Sequence, residues 1–247
     1  MSDGLAAADV TESAMRLGQG LLVVLGAFLA AIAITRPATR AFVGAGLVAA
    51  DSPESVIVST VFQFVGFGLA IVVFLAITND WDLIEVDRLD WREAATVVVG
   101  TITLLVLQVA ITRLLAQFGL SAGQNAALLP GRDDPTYFLQ MAVVSVLIVG
   151  PAEELLFRGV VQGLLRRAMR AWPAIAVTSL VFGVVHVAAV VGTTGQAFVY
   201  ASIAAVLGLV LGYAYERTGN VVVPALTHGL YNGTLFTVQY LYFTGYI

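Results

Sequence analysis

The chain has 247 residues, of which 59% are hydrophobic and only 11% are charged, with a formal net charge of −4. A soluble globular domain does not need this much apolar surface, so the composition predicts an integral membrane protein. The chain has no cysteine and no lysine, which excludes disulfides, thiolate metal sites, lysine nucleophiles and lysine-dependent phosphate loops.

Seven stretches approach the length of about 20 apolar residues that a membrane-spanning helix needs. The predicted spans are 15–35, 55–77, 93–116, 137–165, 173–191, 197–216 and 221–243. An acidic, polar tail at 1–14 precedes them and lacks the basic region of a secretory signal, so the first span is expected to be retained. The sequence therefore predicts an all-α, polytopic bundle of about seven membrane helices, forming one domain over 15–247.

Arginines near the ends of the spans predict the orientation of the chain. If the N-terminus is cytoplasmic, seven arginines lie on that side and four on the other. Cytoplasmic loops carry the excess of basic residues. The expected location is the plasma membrane, with a cytoplasmic N-terminus.

A stripe of small residues marks the sixth span. Ala204, Gly208 and Gly212 recur at four-residue spacing, which places them on one helical face and lets another helix approach closely. This stripe is interpreted as a packing surface.

The fourth span carries the segment PAEELLFR at 151–158. Ionisable residues inside a membrane are costly and usually mark a function. Glu154 and Arg158 are four residues apart on a helix, so they are expected to pair. Glu153 points elsewhere and has no partner in its own helix. It remains free to serve as a general base or a metal ligand.

The two histidines of the chain, His186 and His228, lie within the fifth and seventh spans. Both are estimated at a depth similar to that of Glu153, about 16–20 Å from one common end of the bundle. The three side chains are therefore expected to form one site. Asn232 follows His228 by four residues and shares its helical face. A purely structural role for this polar set is the alternative.

The order of these motifs resembles a known family of membrane proteins. EELLFR fits an EExxxR motif, Phe182 to His186 fits FxxxH, and His228 to Asn232 fits HxxxN. This set is similar to the CPBP family, also called the CAAX protease and bacteriocin-processing or Abi family, which includes Rce1-type prenyl-protein endopeptidases. The resemblance covers about 137–243, the expected catalytic region.

The resemblance implies an intramembrane endopeptidase that hydrolyses a peptide bond of a membrane-associated substrate. Glu153 would activate water with His186, while His228 and Asn232 would stabilise the oxyanion. Glu154, Arg158 and Phe182 would support them structurally. Family members are often described as metalloproteases. Glu153, His186 and His228 match a divalent metal site such as zinc, and they equally match a metal-free site.

Two other functions remain open at the level of sequence. A transporter or channel would use the Glu, His and Arg cluster to relay protons or bind a solute, although no duplicated halves are visible. A non-catalytic membrane scaffold is the third interpretation. The expected partners are a membrane-associated peptide or protein and the lipid bilayer, and no basic patch indicates a nucleic acid.

Overall fold

Apart from the first, the long helices begin and end close to the predicted spans. A computed structural model describes the backbone of residues 2–247 and the side chains of residues 10–247. Met1 and the side chains of residues 2–9, which belong to the predicted tail 1–14, lie outside the described residues. The helices are α1 (Ser2–Gly44), α2 (Pro53–Thr78), α3 (Trp91–Gln117), α4 (Thr136–Arg166), α5 (Ala171–Val185), α6 (Thr194–Thr218) and α7 (Val222–Phe243).

Six of the helices in the described part of the chain are long and apolar enough to cross a membrane. These are α1 to α6, with α5 extended by a 3-10 turn to Ala189. Helix α7 is present as predicted, but its many polar residues, including His228 and Asn232, keep it outside this set. The prediction of a helical, multi-pass membrane bundle is confirmed.

Helix α1 is longer than predicted at both ends, because it begins at Ser2 within the predicted tail 1–14 and continues past residue 35. The sequence placed the end near residue 35 because Pro37 follows, but the helix continues to Gly44 with Pro37 inside it. A proline removes one helical hydrogen bond, and contacts with α2 stabilise the turns beyond it. Thr39 and Ser59 share a hydrogen bond of 2.9 Å, and the rings of Phe42 and Phe62 meet at 5.7 Å.

Helix α4 contains two π-helical segments, one before the EELLFR motif and one that begins within it. They span Ser145–Val149 and Leu155–Gln162, with α-helix at Gly150–Glu154 between them. Pro151 lacks an N–H group and would clash with the carbonyl four residues earlier in a regular helix. The wider turn before Pro151 relieves this conflict, and such bulges often occur at functional sites.

Helix α4 is the buried centre of the bundle. Leu156, Val160 and Leu164 are completely buried. They belong to a core that also contains side chains from α1, α2 and α5. The two carboxylates and Arg158 are therefore carried on a helix whose C-terminal half is buried in protein.

Two glycines allow α4 and α7 to cross closely beside the motif. A Cβ atom on Gly150 would lie 2.8 Å from the backbone nitrogen of Gly229. A Cβ atom on Gly229 would lie 2.8 Å from the Cα atom of Val146. Because real Cβ atoms do not make such contacts, this crossing requires glycine on both helices.

A short antiparallel ribbon joins the connection between α3 and α4 to the end of α5. Strand β1 (Gln124–Asn125) pairs with β2 (Val190–Val191), with Gln124 opposite Val191. The ribbon is small enough that the fold remains all-α in class. It places residues 121–128, here called the cap segment, beside the turn that begins at His186.

Candidate active site

The centre of the site is a buried ion pair within α4. Glu154 and Arg158 are completely buried, and the guanidinium binds both carboxylate oxygens at 3.0 Å. This is the pair expected from their four-residue spacing. The Nη1–Oε1 contact is a hydrogen bond and the Nε–Oε2 contact is an ion pair, and together they limit the cost of burying two charges.

Arg158 and Gln162 also attach α4 to α6. The Arg158 Nη2 atom donates to the carbonyl oxygen of Gly208 at 3.1 Å. One turn later, Gln162 Nε2 donates to the carbonyl oxygen of Gly212 at 3.1 Å. The small-residue stripe of α6 therefore does more than permit packing, because the absence of side chains exposes its carbonyl groups as acceptors.

The aromatic ring of Phe182 in α5 packs against the buried arginine and the two histidines. The Arg158 guanidinium lies 4.7 Å from the ring centre. The rings of His186 and His228 lie 4.4 Å and 5.7 Å from it. Phe182 thus packs against the buried arginine and against both histidines.

His228 is held by hydrogen bonds at both ring nitrogens. Its Nδ1 atom lies 2.8 Å from Glu154 Oε1, and its Nε2 atom lies 3.1 Å from Asn232 Nδ2. A carboxylate only accepts, so Nδ1 carries a proton. Nε2 then accepts from the Asn232 amide as this amide is oriented. A second carboxylate oxygen, Glu153 Oε2, lies 3.8 Å from Nε2.

His186 begins the 3-10 turn that follows α5. Its Nδ1 atom lies 2.7 Å from the Phe182 carbonyl oxygen. Because a carbonyl oxygen accepts, Nδ1 carries the proton and Nε2 keeps a free lone pair. The ring of Tyr200 in α6 lies nearly parallel to the imidazole, with the ring centres 6.3 Å apart. The imidazole thus has two aromatic neighbours and one ring nitrogen without a hydrogen-bond partner among the described residues.

A cavity of about 870 Å³ connects these residues. Its wall includes Glu153, His186, His228 and Asn232, together with the cap segment and apolar residues of α1, α2 and α6. The Glu153 side chain is 14% exposed, whereas Glu154 has no exposure. The first carboxylate therefore reaches the cavity, and the second lies behind it.

The side chains do not form a ready metal site. Among the described residues, no group of three His, Asp or Glu side chains is arranged to hold a metal ion. The free Nε2 atom of His186 could serve as a ligand, but the Nε2 atom of His228 already accepts from the Asn232 amide. The proposed ligand set of Glu153, His186 and His228 does not fit a metal in this geometry, and no chemical step is assigned to one below.

Comparison with known families identifies the part of the chain that contains this site. Residues 135–234 match the family model described as type II CAAX prenyl endopeptidase Rce1-like. The chain carries an Rce1-like domain. No curated protein and no solved structure gives a significant match. The Rce1-like domain is a protease domain, and it contains every candidate site residue from Glu153 to Asn232.

The structure differs from the sequence interpretation in how it uses Glu154. Helical spacing predicted one partner for this residue, Arg158, and the histidines were expected to face Glu153. In the Rce1-like domain Glu154 also binds His228 Nδ1, so it orients the imidazole from behind. Helical spacing reports only partners on the same helix, and for this reason it missed a contact with α7.

Two further polar residues of the site belong to no sequence motif and were not predicted. Tyr200 stacks on His186 and receives a hydrogen bond from Asn125 at 2.9 Å. Gln162 joins α4 to α6. The four-residue spacing of Arg158 and Gln162, which matches that of Gly208 and Gly212, is the one signal in the sequence that could have indicated the second contact.

Proposed function

We propose that this protein is an intramembrane endopeptidase in which Glu153 activates the water that attacks a peptide bond. The observation that carries the proposal is the arrangement of two adjacent carboxylates around one imidazole at a cavity wall. Glu154 is fully buried and holds His228, while Glu153 reaches the cavity 3.8 Å from the same ring. A fixed imidazole beside a more exposed carboxylate suits general-base chemistry.

The proposed reaction begins with water between Glu153 and His186. Glu153 takes one proton from the water, and the water oxygen forms a bond to the carbonyl carbon of the peptide. His186 Nε2 accepts the second water hydrogen as a hydrogen bond and orients the molecule. The proton then passes from Glu153 to the peptide nitrogen as the C–N bond breaks, which leaves a carboxylic acid and an amine.

The developing oxyanion needs donors that point into the cavity. Asn232 uses one amide hydrogen on His228 and retains a second. We assign this second hydrogen to the oxyanion. His228 acts in this scheme by orienting Asn232 and facing Glu153. Such preorganised donors supply a large share of the stabilisation of a transition state.

The proposed substrate is a membrane-associated peptide or protein. Most of the residues that line the cavity are apolar, and they come from α1, α2, α6 and other helices, which favours a substrate segment that carries apolar groups. The family description names prenyl endopeptidases, so prenylated C-terminal peptides are the first substrates to test. We further propose a plasma-membrane location with a cytoplasmic N-terminus, on the basis of the arginine distribution.

The test is cleavage of a membrane-anchored peptide library, with prenylated and unprenylated members, by purified protein in lipid vesicles. The wild-type protein is expected to cleave at least one member, and Glu153→Gln is expected to lose turnover while its thermal stability is retained. Exhaustive chelation is expected to leave activity intact. Glu216→Gln, which alters an ion pair outside the cavity, is the matched control.

Three outcomes would count against the proposal. If the wild-type protein cleaves no member, the endopeptidase assignment fails. If Glu153→Gln remains active, the assignment of the base fails. If chelation abolishes activity and added zinc restores it, the metal-free scheme is replaced by a metal-dependent one.

A further inference from the structure

The hydroxyl group of Tyr200 has an unused proton. Asn125 Nδ2 donates to the Tyr200 oxygen at 2.9 Å, so the oxygen acts as the acceptor in this bond. A phenol carries one proton of its own to donate. No acceptor for it is present among residues 10–247. An acceptor that enters the cavity would therefore meet a donor already held in position.

The position of Tyr200 makes this donor relevant to the site. Its ring stacks on His186 with an interplanar angle of 27°, and it lines the same cavity as Glu153. The other tyrosine on the cavity wall, Tyr231, donates its proton to Gln108 at 3.3 Å. Tyr200 thus differs from its neighbour in having a phenol hydrogen that the protein does not use.

The proposed oxyanion site has few hydrogen-bond donors without Tyr200. His228 Nε2 accepts from Asn232, so in this state it has no hydrogen to offer an oxyanion. Asn232 contributes a single free amide hydrogen. Oxyanion sites commonly use more than one donor, placed where the charge develops.

We propose that Tyr200 is a further catalytic residue whose phenol donates a hydrogen bond to the carbonyl oxygen of the scissile peptide. This inference rests on the endopeptidase function proposed above. As the water oxygen bonds to the carbonyl carbon, the π electron pair moves onto the carbonyl oxygen. Tyr200 stabilises that charge without transferring its proton, so the fate of the water protons remains as described.

Asn125 has a positioning role in this proposal. Its amide nitrogen donates to Tyr200, while its side-chain oxygen accepts from the backbone nitrogen of Ala127 at 2.9 Å. The amide thus ties the phenol to the cap segment. Because Asn125 occupies the acceptor side of the phenol oxygen, it leaves the proton directed away from itself.

The experiment compares kcat and KM for Tyr200→Phe and wild type on a library peptide that wild type cleaves. Phenylalanine keeps the stacked ring and removes only the hydroxyl, so kcat is expected to fall about 10- to 100-fold with KM changed less than about threefold. Tyr215→Phe is the matched control. It removes a half-buried phenol that donates to the carbonyl oxygen of Leu83, and neither residue lines the cavity, so kcat is expected to change less than about twofold.

A second variant tests the direction of the hydrogen bond. Asn125→Asp keeps an acceptor for the Ala127 nitrogen but replaces the donor with a carboxylate, which would capture the Tyr200 proton. It is expected to lower kcat about tenfold or more, and to cause no further loss in combination with Tyr200→Phe. Asn125→Gly removes the contact without adding an acceptor and is expected to be the milder change.

Wild-type activity separates the two proposals. If wild type cleaves and Tyr200→Phe is as active as wild type, Tyr200 only packs against His186 and the inference is wrong. A rise in KM at constant kcat would likewise contradict it, since that pattern reports ground-state binding. If wild type cleaves nothing, the endopeptidase proposal itself has failed.

Discussion

At the scale of single residues, His228 contacts side chains from three helices. Glu154 from α4 binds one ring nitrogen, and Asn232 from its own helix binds the other. Phe182 from α5 packs against the ring edge. A histidine with so many fixed neighbours has little rotational freedom, so its orientation is determined before a substrate arrives.

Glu154 is expected to matter for stability more than its neighbour does. Glu154→Gln removes the charge that compensates buried Arg158 and weakens the acceptor for His228. Breaking a fully buried pair in this way costs about 3–5 kcal/mol. The thermal unfolding midpoint in detergent should therefore fall clearly below that of Glu153→Gln.

The double variant Glu154→Gln/Arg158→Gln provides the control. If the loss comes from an uncompensated charge, removing both charges should recover part of the stability. Equal stability of Glu153→Gln and Glu154→Gln would show that the two carboxylates are not divided between a cavity role and a buried role.

At the scale of elements, the crossing of α4 and α7 determines the distance between the carboxylates and His228. Gly150 and Gly229 let the two backbones meet one turn before Glu153 and one residue after His228. The π-helical turn at Ser145–Val149 occurs at the same crossing. Backbone approach and helix distortion thus act together on the geometry of the site.

Gly229→Ala tests this crossing. The added Cβ atom would meet the Cα of Val146 at 2.8 Å and the carbonyl oxygen of Ser145 at 3.0 Å. Since backbone atoms cannot move aside cheaply, the helices must separate, at a cost of about 1–3 kcal/mol. Both the unfolding midpoint and kcat are expected to fall. Gly68→Ala, where no atom lies within 4 Å, should leave both unchanged or slightly raise stability.

An ion-pair cluster fixes the connection between α2 and α3 to the end of α4. Arg167 binds Asp80 at 2.6 Å and Asp82 at 2.8 Å. The hydrogen bond from Arg167 lowers the pKa of Asp80 from its ordinary value of 3.8. The folded protein thus keeps this carboxylate ionised at a lower pH than the unfolded chain does. The pair contributes stability above about pH 4, and this contribution is lost as the pH falls through the lowered pKa.

Arg167→Gln is therefore expected to destabilise the protein in a pH-dependent way. Near pH 7 the loss should be under about 1 kcal/mol, because the pair is partly exposed and screened by solvent. The difference from wild type should shrink towards pH 2, as followed by thermal unfolding across pH. Arg170→Gln, which removes an arginine without an ion pair in the described part of the chain, should show no such trend. A difference that is constant with pH would exclude the Asp80 mechanism.

At the scale of the whole molecule, the two ends of the helical bundle carry different structural features. One end carries the ion pairs of Arg166 with Glu216 and of Arg167 with the aspartates. The other end carries the cap segment, which forms part of the cavity wall. Because one end carries the ion pairs and the other carries the cap segment, the orientation of the bundle decides which side of the membrane each feature faces.

This direction can be measured because the chain has no cysteine. With a cytoplasmic N-terminus, Asp87→Cys should react with an impermeant thiol reagent only from the cytoplasmic side. Asp133→Cys should react only from the opposite side. Both residues are exposed, so a failure to label would not come from burial. The reverse labelling pattern would show that the arginine distribution gave the wrong orientation.

The amino-acid sequence was sufficient to predict the membrane class, most of the helical spans and the candidate residues of the site. Apolar length and the cost of buried charge are local properties, and they were sufficient to select Glu153, Glu154, His186 and His228. The Glu154–Arg158 pair also followed from spacing on one helix. The end of α1 was wrong because contacts with α2 offset the effect of Pro37.

The tertiary structure decided which atoms meet between helices. The bond from Glu154 to His228, the bonds from Arg158 and Gln162 to α6, and the free phenol of Tyr200 all depend on backbone approach. That approach is set by glycines whose partners lie about 50 to 80 residues away in the chain. Helical periodicity orders residues around one axis, but it contains no information about the rotation and height of a neighbouring helix.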